Sequence, residues 1–492
     1  MRPTKLVCLA GLALALMTAN LHSTTYWVAT NGNDSYDGLS SNTPFATPQK
    51  AVTLSALAAG DTIYVRGGTY ALGTQVKPSK AGAAGNYIKL WALPGEVPVF
   101  DFDTMPESSD KALDVRRNYW HAKGIEVMNA PDSGIFVGGL SNIVEGCVVH
   151  DCDNDGIILG STSVRTTNAL ILNCDSYRNF QVSSGGNNGD GFGAKSGCGP
   201  GNVFRGCRSW NNSDDGWDFY DNNTNSVVLQ NCWSFSNGYD LWGVGGGFSG
   251  NGNGFKLGGA GTQAKHYLTN CVAFGNKSKG FDHNHTSAGQ TVVNCTGYSN
   301  AVNFSFYETP TVGTNLLINN LAFARTATNL EPTTVQISNS WQGFTVTAAD
   351  FASLDAALAL APRNADYSLP TNAFLRLAAG SDLIDAGVNV GLPYNGAAPD
   401  LGAYEYVPGT TELPVEPFKI ISIQPLSSDH VRITWEAVSN ETYRVESRDA
   451  LDANVWSLLG SVIGPGTSAS YTNSGLLSVT QRYYRVVYTN AP

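Results

Sequence analysis

Through the middle of the chain, short runs of alternating apolar and polar character recur, each opened by a glycine. They read Gly134-Ile135-Phe136-Val137, Gly156-Ile157-Ile158-Leu159, Gly191-Phe192-Gly193-Ala194, Gly216-Trp217-Asp218-Phe219, Gly254-Phe255-Lys256-Leu257 and Gly280-Phe281-Asp282-His283. Side chains of a strand alternate faces with period two. One position past the glycine stand Ile135, Ile157, Phe192, Trp217, Phe255 and Phe281, which predicts an inward apolar column. Two positions past it stand Phe136, Ile158, Gly193, Asp218, Lys256 and Asp282, predicted to face outward. A repeat of roughly 20 to 40 residues built of short strands signals a solenoid, in which equivalent residues of successive repeats become neighbours.

The second half of each repeat has its own signature. Asn or Gly precedes a cysteine, an aromatic follows, then Asn: Asn173-Cys174 with Tyr177 and Asn179, Gly206-Cys207 with Trp210 and Asn212, Asn231-Cys232 with Phe235 and Asn237. Asn270-Cys271 and Asn294-Cys295 continue it, with Phe274, Asn276, Tyr298 and Asn300. Stacked aromatics and an Asn ladder at a turn suit a parallel β-helix, because Asn bonds backbone at turns and tolerates left-handed conformations. Cys147, Cys174, Cys207, Cys232, Cys271 and Cys295 share one repeat position, which predicts a buried apolar stack. Cys152 and Cys198 lie off it, with their redox state open.

The flanks differ. Residues 24–112 read as the first turns and their cap. Tyr26-Trp27-Val28 and Ile63-Tyr64-Val65 are strand-like, and Thr47-Pro48 opens a helix predicted to run to Leu57. The repeat loosens after Asn300, and its last unit is expected near Asp400–Glu405. Residues 407–417 are rich in Pro, Thr and Glu and read as a linker. Residues 418–492 alternate as Val431–Trp435, Tyr443–Glu446 and Tyr483–Val487, the pattern of a small β-sandwich resembling fibronectin type III or Ig-like modules, with Trp435 in its core. Residues 1–23 read as a signal peptide: Arg2 and Lys5 precede an apolar run too short to span a bilayer, with cleavage after Ala19 or Ser23. Secretion is therefore expected. So are 24–406 as the helical domain and 418–492 as an accessory one.

Composition fits this all-β reading. The chain has 492 residues, 54 of them Gly, and only 14% are charged. A net charge of −11 argues against nucleic acid or anionic membrane as partner. A polyanionic substrate would need a bridging cation. Nothing in the sequence predicts an oligomer, so a monomer is expected.

Rungs of a β-helix lie about 4.8 Å apart. Asp190, Asp214, Asp215 and Asp218 therefore converge on one outer patch, and Lys256 projects from the next rung in the column of Asp218. Asp is common in turns, so Ser213-Asp214-Asp215-Gly216 alone says little. Four carboxylates on adjacent rungs repel, and Ca²⁺ with its oxygen ligands relieves that. Beside bare acids Lys256 would simply form an ion pair with a raised pKa. A bound cation reverses the sign and makes the amine a competent base. A polyuronate explains the set. Its C5 proton is acidified by the neighbouring carboxylate, Ca²⁺ stabilises the enolate-like intermediate, Lys256 takes the proton and the C4 oxygen leaves. Lys195 and Tyr220, four residues past their glycines, are expected to line the groove, with Trp242 of the insertion Gly238–Gly252 as a cleft wall and Asp282 nearby. His283 is expected to point inward; His285 is undecided.

Asn188–Phe192, Gly199–Cys207, Asn211–Asp218, Asn251–Gly259 and Lys279–Asp282 resemble polysaccharide lyase family 9. The resemblance spans roughly 120–310. It implies a right-handed parallel β-helix, a pectate lyase using Ca²⁺, aspartate ligands at Asp190, Asp214, Asp215 and Asp218, and a lysine base at Lys256. It fixes the reaction better than the polymer, since the family also contains rhamnogalacturonan I lyases and lyases of other acidic polysaccharides. Two further readings stand beside it. A glycoside hydrolase would use paired acids, but the Gly-His-Gly and Arg-Ile-Lys of the polygalacturonases are missing. A non-catalytic carbohydrate-binding β-helix would keep the ladder, with no reason to set Lys256 beside an acid cluster.

Overall fold

A computed structural model describes residues 23–408, apart from 108–110, 222–223, 260 and 262, and residues 420–489, apart from 428, 438–441, 450–455, 465–467 and 475–481. The expected signal peptide, save Ser23, and most of the expected linker lie outside the described residues. The chain divides near residue 410 into two compact units.

Among the described residues, the first unit winds through three long parallel sheets of 12, 10 and 9 strands. Every strand pairs with the equivalent strand one turn on, so the unit is a parallel β-helix. The third sheet carries the glycine-opened strands. Its register aligns Ile157, Phe192, Trp217, Phe255 and Phe281 in one column and Ile158, Gly193, Asp218, Lys256 and Asp282 in the next. The first column is fully buried. Its rings stack at centroid separations of 4.5, 4.8 and 5.1 Å from Phe192 to Phe281. The opening glycines are required by space. A Cβ on Gly191 or Gly216 would lie 2.0 or 1.9 Å from the hydroxyl of Ser209 or Ser234.

The corners follow from the second signature. Asn173, Asn231, Asn270 and Asn294 take left-handed φ of 50–54°, where a β-branched residue would be strained. The cysteines after them are buried free thiols, as are Cys152 and Cys198. At the next corner, Asn179, Asn212, Asn237, Asn276 and Asn300 form a buried ladder, each side-chain amide donating to the next Asn at 2.9–3.0 Å. Each rung thereby satisfies a buried amide that would otherwise cost about 1–3 kcal/mol.

Two expectations at the ends need correction. The helix α1 covers only Pro48–Val52, not the run to Leu57; Thr47 caps its start by accepting from Lys50 N, and Thr53 closes it. The coil also ends earlier than Asp400–Glu405. Its last parallel strands are Thr326–Leu330 and Val335–Ile337. Beyond them Phe351, Phe374, Leu377, Leu383 and Leu401 join a second apolar cluster with Phe235 and Phe274 on the outer face of the second sheet. Those rings are too large and apolar to leave in water, and the returning chain covers them.

Among its described residues, the second unit has two three-stranded antiparallel sheets, consistent with a β-sandwich. Val431, Ile433, Trp435, Tyr443 and Val445 form its core, and Trp435 is fully buried.

Candidate active site

Four strands of the third sheet build the site: β1 (Phe192–Ala194), β2 (Trp217–Asp218), β3 (Phe255–Lys256) and β4 (Lys279–Asp282). Just before the opening glycines stand Asp155, Asp190, Asp215, Asn253 and Lys279, one per rung. Two positions past them stand Gly193, Asp218, Lys256 and Asp282. The two columns make one strip, acidic at its lower rungs and carrying amines at its upper rungs.

The acids are held by a common device. Asp190 Oδ1 accepts from Asp215 N at 2.8 Å, Asp215 Oδ1 from Asn253 N at 2.7 Å, and Asp218 Oδ1 from Tyr220 N at 2.8 Å. One oxygen of each carboxylate is thus pinned to backbone. Asp190 Oδ2 receives Lys195 Nζ at 2.8 Å, and Asp218 Oδ2 lies 3.5 Å from Lys195 Nζ and 3.4 Å from Lys256 Nζ. Asp215 Oδ2 is buried and accepts no well-directed hydrogen bond, although Lys256 Nζ stands 3.1 Å away. Asp190, Asp215 and Asp218 each bring one oxygen within 4.8 Å of the others. Asp214 stands beside this trio. Its Oδ1 accepts from Asn251 N at 2.5 Å and its Oδ2 from Asn188 N at 3.1 Å, tying two loops together.

Burial and mutual repulsion set the charges. Burial, then Asp215 and Asp190, push Asp214 up to about 9. Burial lifts Asp215 to about 7, with Lys256 pulling down and Asp190 and Asp218 adding to the rise. Asp190 goes the other way: burial opposes its charge, but Lys195 and Lys256 outweigh it. Burial also disfavours the ammonium of Lys256. Asp215, Asp218, Asp190 and Asp214 overcome it and hold its pKa well above the ordinary lysine value.

Lys256 borders a pocket of roughly 300 Å³ with Tyr220, Asn253, Lys279, Asp282 and His285 on its walls. Lys279 pairs with both oxygens of Asp282 at 3.0 and 3.1 Å, and burial raises the pKa of Asp282. Tyr220 is 48% exposed, and Lys256 Nζ lies 5.8 Å from its ring centroid. Lys195 does not join it in lining the groove. The carboxylates of Asp155, Asp190 and Asp218 draw its amine into the cluster. Trp242 is not on the pocket wall either; it stacks on Phe180 at 4.7 Å. Among the insertion residues, Asn251 lines the pocket. His283 is buried, its pKa pushed down to about 4 chiefly by burial. His285 is exposed and pairs with Glu308 at 2.6 Å. Sequence reasoning passed over Lys279 and Asn253 as wall residues and Asp155 as the anchor of Lys195. Their shared position before the glycine was the available signal.

The family model of the Pel9A-like, right-handed β-helix region matches residues 26–326. Pectate lyase L of Dickeya dadantii is 39% identical over 395 residues, covering 77% of this chain and 90% of that protein. The chain belongs to the Pel9A-like family. It is a polysaccharide lyase with a right-handed parallel β-helix. Pectate lyase PEL9 of Emericella nidulans is 31% identical over 404 residues, covering 75% of this chain and 96% of its own length. Among solved structures, pectate lyase Pel9A aligns at 38% identity and a TM-score of 0.73, over 78% of this chain and 97% of that one. A rhamnogalacturonan lyase aligns at 28% identity and 0.66, over 73% and 98%.

Proposed function

We propose that this family member is a secreted, calcium-dependent lyase that cleaves polygalacturonate by β-elimination, with Lys256 as the base. The observation that carries the reading is the placement of Lys256. Its amine is nearly buried, rests on Asp215 and Asp218, and borders the pocket.

Asp190, Asp215 and Asp218 are the residues that would hold Ca²⁺, with Asp214 beside them as the fourth acid of the expected set. The donor set fits. It is all hard oxygen, Asp190, Asp215 and Asp218 each keep one oxygen on backbone and turn the other to the cluster, both oxygens of Asp214 accept from backbone, and Asp215 Oδ2 accepts no hydrogen bond. Bound there, Ca²⁺ supplies charge that stabilises an enolate-like uronate and lowers the proton affinity of a neighbouring amine. The chain's residues do the rest. With its acids engaged elsewhere, Lys256 Nζ is free to accept the C5 proton. The electron pair of that C–H bond forms the C4=C5 double bond as the C4–O bond breaks. The departing oxygen takes a proton from solvent. Tyr220, Lys279, Asn253 and Asp282 border the sugar's position.

Polygalacturonate is favoured by the pectate lyase relatives. Rhamnogalacturonan I is the second reading, favoured by the aligned rhamnogalacturonan lyase. The test follows the ultraviolet absorbance of unsaturated product on both polymers, with and without chelator. Rising absorbance on polygalacturonate that chelator stops and Ca²⁺ restores is expected. New reducing ends without the chromophore, or full activity in excess chelator, would overturn the reading. Export through residues 1–23 is checked by the N-terminus of the protein recovered outside the cell.

A further inference from the structure

Lys195 occupies a place that the reaction above does not use. It follows β1 directly, and its side chain is 19% exposed. Its ammonium sits among carboxylates of three successive rungs: Asp155 Oδ1 at 3.1 Å below, Asp190 Oδ2 at 2.8 Å, and Asp218 Oδ2 at 3.5 Å above. Oxygens from three acids around one buried point is the surrounding a hard metal cation seeks. Lys256 differs. Among the described acids it pairs with Asp215 and Asp218, and it borders the pocket, which Lys195 does not. The two amines flank the same oxygen, Asp218 Oδ2, from opposite neighbours.

Asp155, Asp190, Asp214, Asp215 and Asp218 are five buried acids served by two amines. Uncompensated buried charge is expensive. A divalent ion at the Asp215 side leaves the outer oxygen of Asp190, next to Asp155, still needing a cation. Lys195 is that cation, covalently attached and positioned by its strand.

We propose that Lys195 is a positioning residue whose ammonium stands in for a second metal ion, so that the acid cluster accepts a single divalent ion on the Lys256 side. Anchored on Asp155, it holds Asp190 Oδ2 and faces Asp218, and so decides where the ion sits. The proposal rests on the calcium reading of the cluster. A side chain that merely fills space would not set the number of ions bound.

The experiment counts Ca²⁺ bound per full-length chain by titration calorimetry. Ions are assigned to the cluster when Asp190→Asn abolishes them. The wild type is expected to bind one such ion, Lys195→Ala two, and Lys195→Arg one, with circular dichroism confirming native structure. Lys195→Met, which keeps the stem without the charge, replaces the alanine variant if the latter does not fold, with two ions again expected. One ion in the variant lacking the ammonium overturns the proposal, and so do two in the wild type. No ion in the wild type sinks the calcium reading itself, a result distinct from one ion in both.

Discussion

The outer faces of the second and third sheets are made by the same device and end in opposite states. On the second sheet, like stacks on like: His150, Tyr177, Trp210, Phe235 and Phe274 lie in register, with neighbouring ring centroids 4.4–5.6 Å apart. Such stacking is favourable in itself, and the chain beyond residue 337 buries much of it. On the third sheet, like also stacks on like, but Asp155, Asp190 and Asp215 repel. Their column is stabilised by Lys195 and Lys256, and its upper members, Asn253 and Lys279, border a pocket. A solenoid's registry amplifies whatever it repeats. Repeated rings give stability, whereas repeated charges give a site that calls for a cation.

The comparison breaks most visibly at the amine. Lys256→Ala is expected to lower kcat by roughly 10²–10⁴-fold, the span typical of a lost general base. Loss of its charge beside Asp215 and Asp218 should also lower the melting temperature in chelator, and retained turnover in the folded variant would remove Lys256 from the mechanism. The aromatic face should respond the other way. Phe274 is 3% exposed and stacks on Phe235 at 4.5 Å. Phe274→Ala is expected to cost about 3–5 kcal/mol in denaturant unfolding, with kcat unchanged for the folded fraction. A smaller loss belongs to the corner between the faces. Asn237 accepts from Asn212 and donates to Asn276, so Asn237→Ala should cost about 1–3 kcal/mol. A neutral result would show that water replaces the ladder.

The two faces were not equally legible. The inner column from Ile157 to Phe281 and the outer column with Asp218, Lys256 and Asp282 followed from period two and one repeating glycine. Vertical registry then did the rest. The Asn ladder was legible for the same reason, because each Asn meets its own kind. Lys195 was not. Counting places a residue on a rung but does not say which way a long flexible side chain swings, and three acids within reach redirected it. Trp242 failed similarly: an insertion has no register, and its ring found Phe180. The end of the coil was hidden because Asp400–Glu405 carries the strand-like spacing without a partner strand. The returning segment is held by apolar contact with the second sheet, which a repeat search does not see.

The smallest effect is expected from acidity, to which the acidic column brings three aspartates with raised pKa values and the aromatic column one histidine, His150. In protein freed of divalent ions, Asp215, Asp155 and Asp214 keep protons up to about 7, 8 and 9, burial being the first cause in each. An unfolded chain ionises its aspartates near 3.9. Between these limits the folded state holds more protons than the unfolded one, so stability falls as pH rises. His266 and His283, held down to about 3 and 4 chiefly by burial, act in the opposite sense, and only below the ordinary histidine value. Lys195 and Lys256 contribute stability that is lost only above the ordinary lysine value near 10.4. From pH 7 to 9.5 these two histidines no longer oppose the fall, and His150 adds to it. Burial lowers its charge affinity, but Asp151 and Glu126 raise it to about 9, so its contribution is also lost as pH climbs. The melting temperature in chelator should therefore drop between pH 7 and 9.5. Asp214→Asn should remove that aspartate's share of the drop and leave those of Asp155 and His150. A drop of equal size in that variant would mean that Asp214 is already ionised at neutral pH, and that the acidic column is less strained than its burial implies.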